Sequence, residues 1–141
     1  MNEQQNLGTF RKVIEEGFNQ GNYPALDPLF VPGYVEHQDG LHKNLEGFKD
    51  DIRGLRASFP DFTLTIEDVV ADGDRLWVRS TARGTNLGPF FGPPTGKPMR
   101  VTVIDICRFK DGKICEHWGV PDRFTVLAQL GLLPVPQPQG R

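Results

Sequence analysis

The sequence predicts an α+β fold in which about three N-terminal helices pack on one face of a strongly curved, mostly antiparallel sheet. Two observations predict it. Apolar residues recur at helical spacing before Pro60, and after it they alternate with polar residues in segments joined by glycine-containing turns. Helices that precede a run of strands are typical of folds that place their helices on one sheet face. A sheet curved around helices leaves an apolar cavity, which is a natural small-molecule site.

Three helices are predicted in order. The first covers a stripe that ends at Gly21, the second is a short helix within residues 22–30, and the third begins after the candidate cap Asn44 and ends near Pro60. The apolar stripes of the first and third helices are formed by Leu7, Phe10, Val13, Ile14 and Phe18, and by Leu45, Phe48, Ile52, Leu55 and Phe59.

The strands follow. A half-buried strand begins near Phe62, a turn at residues 72–74 leads into a strand over 75–84, and a Gly/Pro-rich loop over 86–97 carries Phe90 and Phe91. Because this phenylalanine pair lies in a loop, we expect it to fold over something apolar. A hairpin over 101–118 and a helix over 122–130 complete a single domain, 1–133, followed by a Pro-rich tail, 134–141, that we expect to be mobile.

Composition excludes several classes. The net charge is −2, and the basic residues are scattered, so nucleic acid and acidic membranes are not expected partners. The polar N-terminus and the absence of a long apolar run predict a cytoplasmic protein without a membrane span. No nucleotide-binding, serine-hydrolase or zinc-protease motif is present, so we expect neither a cofactor nor a metal.

The hairpin contains the residues that are best suited to acid–base chemistry. If its turn is a three-residue loop, the residue numbers of two facing residues add up to 222. Asp105 then lies opposite His117, and Cys107 lies opposite Cys115. The cysteines could form a strained disulfide or remain free thiols, as a reducing compartment favours. Asp105 and His117 are either an acid–base pair that opens into the cavity or a polar pair on a solvated face. Their apolar neighbours argue for a covered face.

Other residues have two explanations each. His37 is either a substrate hydrogen-bond partner at the cavity mouth or a surface histidine, and Asp122 either overhangs the cavity or caps the last helix. Trp118 lies at the cavity rim or in the core. Arg79 either steers a carbonyl or carboxylate substrate or lies on a solvated sheet face.

Segments distributed over the chain resemble the SnoaL-like polyketide cyclases, a branch of the nuclear transport factor 2-like fold. The resemblance is carried by the stretches Tyr34-Val-Glu-His37, Phe59-Pro-Asp-Phe62, Ile66-Glu-Asp68, Gly73-Asp74, Arg83-Gly-Thr85, Pro94-Thr-Gly-Lys97, Arg108-Phe-Lys-Asp-Gly-Lys-Ile114, Glu116-His-Trp118, Asp122 and Gln129-Leu-Gly131. It implies a cone-shaped barrel with an enclosed pocket, often dimeric through the outer sheet face, which here predicts a homodimer.

The resemblance also implies a cofactor-independent enzyme that closes rings by an aldol step on an apolar carbonyl substrate. His117 would be the general acid or base and Asp105 would orient it, although Asp122 could supply the carboxylate instead. Asn86 stands where many relatives have a histidine, and its amide could bind a substrate but could not act as a base. The alternatives are a non-catalytic binder of an apolar ligand, and hydrolysis or hydration by a related barrel.

Overall fold

The computed structural model describes residues 2–133 and confirms the α+β fold. Helix α1 covers Glu3–Lys12 and continues as a π-helical segment, Val13–Asn19; a 3₁₀ helix covers Tyr23–Leu29, α2 covers Leu45–Ser58 and α3 covers Arg123–Gln129. The cap predicted for the third helix is present, because the Asn44 side chain accepts a hydrogen bond from the Gly47 backbone N–H at 2.8 Å.

Five strands form one mixed, curved sheet. They are β1 (Phe30–Glu36), β2 (Thr63–Asp72), β3 (Arg75–Thr85), β4 (Pro98–Lys110) and β5 (Lys113–Pro121), in the order β1-β5-β4-β3-β2. The sheet does not close, since β1 and β2 are its two edges. Three pairings are antiparallel, as predicted, whereas β1 pairs with β5 in parallel. The sequence did not predict β1 as a strand, because Pro32 and Gly33 interrupt its pattern.

The sheet buries one face and exposes the other. Alternate residues of β3, such as Leu76 and Val78, are buried against the helices. Trp77 and Arg79, which each follow one of these residues, are exposed. The inner face therefore carries the core and whatever cavity remains beside it.

Two further expectations concern membrane-spanning helices and the C-terminal tail. No helix within residues 2–133 is long and apolar enough to cross a membrane. The predicted tail, 134–141, lies outside the described residues.

Candidate active site

A cavity of about 620 Å³ lies between the inner sheet face and the helices. Its lining is predominantly apolar, and it includes Phe10, Val13, Ile14, Phe18, Phe48, Ile52, Leu64, Met99 and Val101. A small group of polar side chains interrupts this surface, and the group contains Glu36, Gln38, Asp105 and His117. An apolar cavity with a few convergent polar groups is the usual form of a small-molecule site.

The predicted hairpin register is wrong, but the predicted pair is present. Asp105 lies opposite Gly119, and Cys107 lies opposite His117, so facing positions sum to 224 in this part of the hairpin. Two features cause the shift: Asp111 and Gly112 form a two-residue turn with φ of 52° and 76°, and Cys115 is an extra, bulged residue on β5. A shift of two positions keeps the same side chains on the inner face.

The acid and the imidazole therefore meet diagonally across the strands. His117 Nε2 lies 2.8 Å from Asp105 Oδ1, and both side chains line the cavity. Asp105 is 7% exposed, which confirms the covered face. Cys107 and Cys115 are free thiols, and they do not face each other.

Sequence reasoning missed Glu36. This residue ends β1 and pairs with His117 in the parallel ladder, which brings Glu36 Oε2 within 2.6 Å of His117 Nδ1. The Tyr34 hydroxyl donates to Glu36 Oε1 at 3.2 Å, and the Gln38 backbone N–H donates to Glu36 Oε2 at 3.0 Å. The available signal was the alternation of Tyr34 and Glu36, since residues two apart on a strand share a face.

The three side chains form a carboxylate–imidazole–carboxylate cluster. An ionised carboxylate only accepts hydrogen bonds, so both ring nitrogens of His117 carry protons and donate, one to Asp105 and one to Glu36. Burial alone would lower the pKa of His117, but its hydrogen bonds to Asp105 and Glu36 and the two negative charges outweigh burial and raise the pKa to about 9. The imidazole is therefore a cation at neutral pH, and the cluster has a net charge of −1.

Two neighbouring groups stay protonated. Complete burial, followed by the charges of Asp105 and Glu36, raises the pKa of the Cys107 thiol well above its usual value. Burial and the adjacent Glu36 likewise raise the pKa of Tyr34. A neutral, buried thiol is a poor nucleophile, so Cys107 forms part of the cavity wall and does not supply covalent chemistry.

Three predicted substrate-binding residues lie outside the cavity. The Trp118 side chain points to the outer sheet face, where the His37 ring stacks on it with 4.6 Å between centroids, and His37 Nε2 lies 2.7 Å from Glu116. Arg79 is exposed on the same outer face. These three side chains therefore lie away from the cavity, because each is one position out of phase with an inward-facing residue.

Asp122 and Asn86 have structural roles. The Asp122 carboxylate caps α3 by accepting bonds from the Thr125 backbone N–H at 3.1 Å and the Thr125 hydroxyl at 2.7 Å. Asn86 is fully buried, and its amide joins the two ends of the loop through Gly88 and Thr95. Neither side chain lines the cavity, which favours the capping explanation of Asp122 and removes Asn86 as a substrate partner.

Phe90 and Phe91 line the cavity. Phe90 packs edge-on against Phe59 with 5.2 Å between centroids, whereas Phe91 is 70% exposed. The Phe91 backbone has a φ of 53°, which is uncommon for a bulky residue and fixes its ring beside Phe90. The pair therefore forms an aromatic border where the loop meets the cavity.

The described residues hold no group of three or more His, Cys, Asp or Glu side chains that could bind a metal ion. In the carboxylate–imidazole–carboxylate cluster, the charged side chains hydrogen-bond to one another. Asp105 lines the cavity, and its second oxygen accepts no hydrogen bond from residues 2–133.

Comparisons with known proteins identify the family of this chain. The family model of the SnoaL-like polyketide cyclases matches residues 9–130. Nogalonic acid methyl ester cyclase of Streptomyces nogalater is 29% identical over 120 residues, which are 81% of this chain and 89% of that protein.

Solved structures give the same result. IdmH of Streptomyces antibioticus, a candidate polyketide cyclase, is 38% identical with a TM-score of 0.81, over 90% of this chain and 99% of that one. TsrD of Streptomyces laurentii is 28% identical with a TM-score of 0.85, over 94% of this chain and 99% of that one. Since the family model covers most of the chain and the folds superpose over nearly their full length, this protein belongs to the SnoaL-like polyketide cyclase family.

Proposed function

We propose that the protein is a cofactor-independent cyclase that closes a ring by an intramolecular aldol reaction on an apolar carbonyl compound. The observation that carries the proposal is the carboxylate of Asp105, which is held by the His117 imidazolium in the wall of an apolar cavity. Aldol chemistry needs a group that first accepts and then returns a proton, and a buried carboxylate in a polar cluster can do both.

The proposed cycle conserves every atom. The free oxygen of Asp105 removes a proton from a carbon next to a carbonyl group, which leaves an enolate and a neutral carboxylic acid. The enolate carbon attacks a second carbonyl carbon of the same molecule, and the new alkoxide takes the proton back from Asp105. His117 keeps both of its protons throughout, because Glu36 and Asp105 together hold it as a cation.

The charge of the cluster supports this assignment of roles. With Asp105 ionised the cluster carries a net charge of −1, and protonation of Asp105 during the reaction makes it neutral. The charge of the cluster therefore changes by one during the reaction, and that change is the proton taken from the substrate. His117 would thus act by positioning and tuning Asp105, and it would not itself remove the substrate proton.

The cavity supports an apolar, polycyclic or extended substrate. Its volume of about 620 Å³ is within the roughly 300–1,000 Å³ typical of small-molecule sites, and its aromatic lining suits planar rings. Phe90 and Phe91 would shield the bound substrate from water where the loop meets the cavity.

Nogalonic acid methyl ester is the first substrate to test, because a relative is named for it. We expect the protein to convert it to an isomer of equal mass, since an aldol addition neither adds nor removes atoms, as measured by liquid chromatography with mass detection. Conversion no faster than in buffer, with the compound bound, would contradict the cyclase proposal and favour the alternative of a non-catalytic binder. Absence of both binding and conversion would contradict the substrate class.

The outer sheet face supports a homodimer, which we propose as the working form. Several exposed apolar side chains lie on it, namely Val35, Val70, Trp77, Ile104 and Val120. Such a patch on a charged, two-layer domain is typical of a protein–protein interface. The two free thiols also fit the reducing cytoplasm that we propose as its location.

Ile104→Glu tests the dimer. We expect the wild-type protein to elute as a dimer and the variant as a monomer in size-exclusion chromatography with light scattering, because a charge at the patch centre cannot be buried without a partner. Lys110→Glu is the control, because Lys110 is exposed at the distant end of β4 and its substitution should leave the dimer intact. Ala71→Glu would not serve, because Ala71 is half-buried on the opposite sheet face. A monomeric wild-type protein would contradict the proposal.

A further inference from the structure

Gln38 lies beside the charged cluster without being part of it. Its backbone N–H donates to Glu36 Oε2, the same oxygen that accepts from His117 Nδ1, and the neighbouring His37 N–H donates to the His117 carbonyl at 2.9 Å. These bonds fix the Gln38 backbone at the cavity wall, and its half-buried side chain lines the cavity.

Gly119 brings the Gln38 side chain close to Asp105. This glycine lies opposite Asp105 in the β4–β5 ladder. A Cβ atom at position 119 would overlap the Gln38 carboxamide oxygen and would lie 3.0 Å from Asp105 Oδ1. The carboxamide and the carboxylate therefore border the same small space, which only a residue without a side chain leaves free.

The carboxamide has unused hydrogen-bonding capacity. Within residues 2–133, its amide group neither donates nor accepts a side-chain hydrogen bond, although an amide can donate two and accept two. Asp105 also keeps one oxygen free, and that oxygen can only accept while ionised. A half-turn of the carboxamide about its terminal bond would put its N–H₂ group where its oxygen now lies, so a carbonyl-bearing molecule placed here would meet a donor next to the carboxylate.

We propose that the Gln38 carboxamide binds the substrate carbonyl oxygen whose neighbouring carbon loses its proton to Asp105. This inference rests on the proposed function and extends it by assigning the group that stabilises the enolate. An N–H donor at that oxygen is worth more as negative charge develops on it, so the contact favours the transition state over the bound substrate. Gly119 is then a specificity-determining position, because any side chain there would displace the carboxamide.

The test compares two ligands that differ in one carbonyl group, 1-tetralone and tetralin. Dissociation constants are measured by isothermal titration calorimetry for the wild-type protein, Gln38→Leu and Gly119→Ala. We expect both variants to bind 1-tetralone about fivefold more weakly, which corresponds to one neutral hydrogen bond, while the dissociation constant for tetralin stays unchanged. Leucine matches the size of glutamine and keeps the backbone N–H, so thermal stability should also remain.

Each other outcome overturns the inference. Equal weakening of both ligands would mean that Gln38 only shapes the cavity, and unchanged binding of 1-tetralone would mean that its carbonyl lies elsewhere. Failure of the wild-type protein to bind either ligand would overturn the site itself. Binding requires no turnover, so a protein that passes this test but never closes a ring would contradict the proposed function and leave the Gln38 contact standing.

Discussion

Asp105→Asn is expected to lower the rate of ring closure by about 10²- to 10⁴-fold, with a much smaller change in substrate affinity. The amide matches the shape of the carboxylate, so the cavity and the contact with His117 remain, but an amide cannot accept a proton near neutral pH. The rate is measured under single-turnover conditions with nogalonic acid methyl ester, and the affinity by calorimetry.

Asp122→Asn is the matched control, because the same chemical change is made at the other candidate carboxylate. Asparagine caps helices about as well as aspartate, so α3 should persist and the rate should stay within about twofold of the wild-type value. A large loss in Asp122→Asn with little loss in Asp105→Asn would transfer the proton-transfer role to Asp122 and contradict the role proposed for Asp105.

The free energy of unfolding is expected to fall by about 3 kcal/mol as the pH rises from 6.5 to 9. His117 has a raised pKa of about 9 in the folded protein, whereas a histidine in an unfolded chain has an ordinary pKa near 6.5. Between these values the folded state binds more protons than the unfolded state, so stability decreases with pH. The contribution is complete below the lower value and is lost above the upper one.

Urea denaturation at pH 7.0, 7.75 and 8.5 would measure this slope, which should approach about 1.4 kcal/mol per pH unit. Higher pH is avoided because burial raises the pKa of the Cys107 thiol, and its ionisation on unfolding also lowers stability there. His117→Gln should lose the slope. Imidazole ¹⁵N shifts give an independent check, since the chain has three histidines, and a neutral His117 ring at pH 7.5 would contradict the charged cluster.

The sequence was sufficient for the fold class and for the central pair. Helical spacing located α2 to within a residue or two, and strand alternation placed Asp105 and His117 on one covered face even though their register was shifted by two. The bulge at Cys115 could not be predicted, because no proline or glycine marks it. The β1 strand was missed for the opposite reason, since Pro32 and Gly33 suggest a loop, and Glu36 was missed with it.

The alternation of side chains between the two sheet faces explains why some residues predicted at the pocket lie outside it. Once His117 is assigned to the inner face, Trp118 must point outward, and once Glu36 points inward, His37 must point outward. Arg79 is opposite Ile104 on the outer face for the same reason. The roles of Asn86 and Asp122 depended on contacts with Thr95 and Thr125 that only the three-dimensional structure reveals, although capping by Asp122 was one of the two explanations its position allowed.

The parallel pairing of β1 with β5 has a consequence for how the protein acquires activity. Glu36 and His117 are 81 residues apart in the chain, so their contact closes a very long loop. Contacts between such distant positions are entropically expensive and slow to form compared with hairpins such as β4–β5. The complete cluster is therefore absent from any partly folded state in which β1 has not paired with β5. Activity at the site would then indicate that the chain has folded completely.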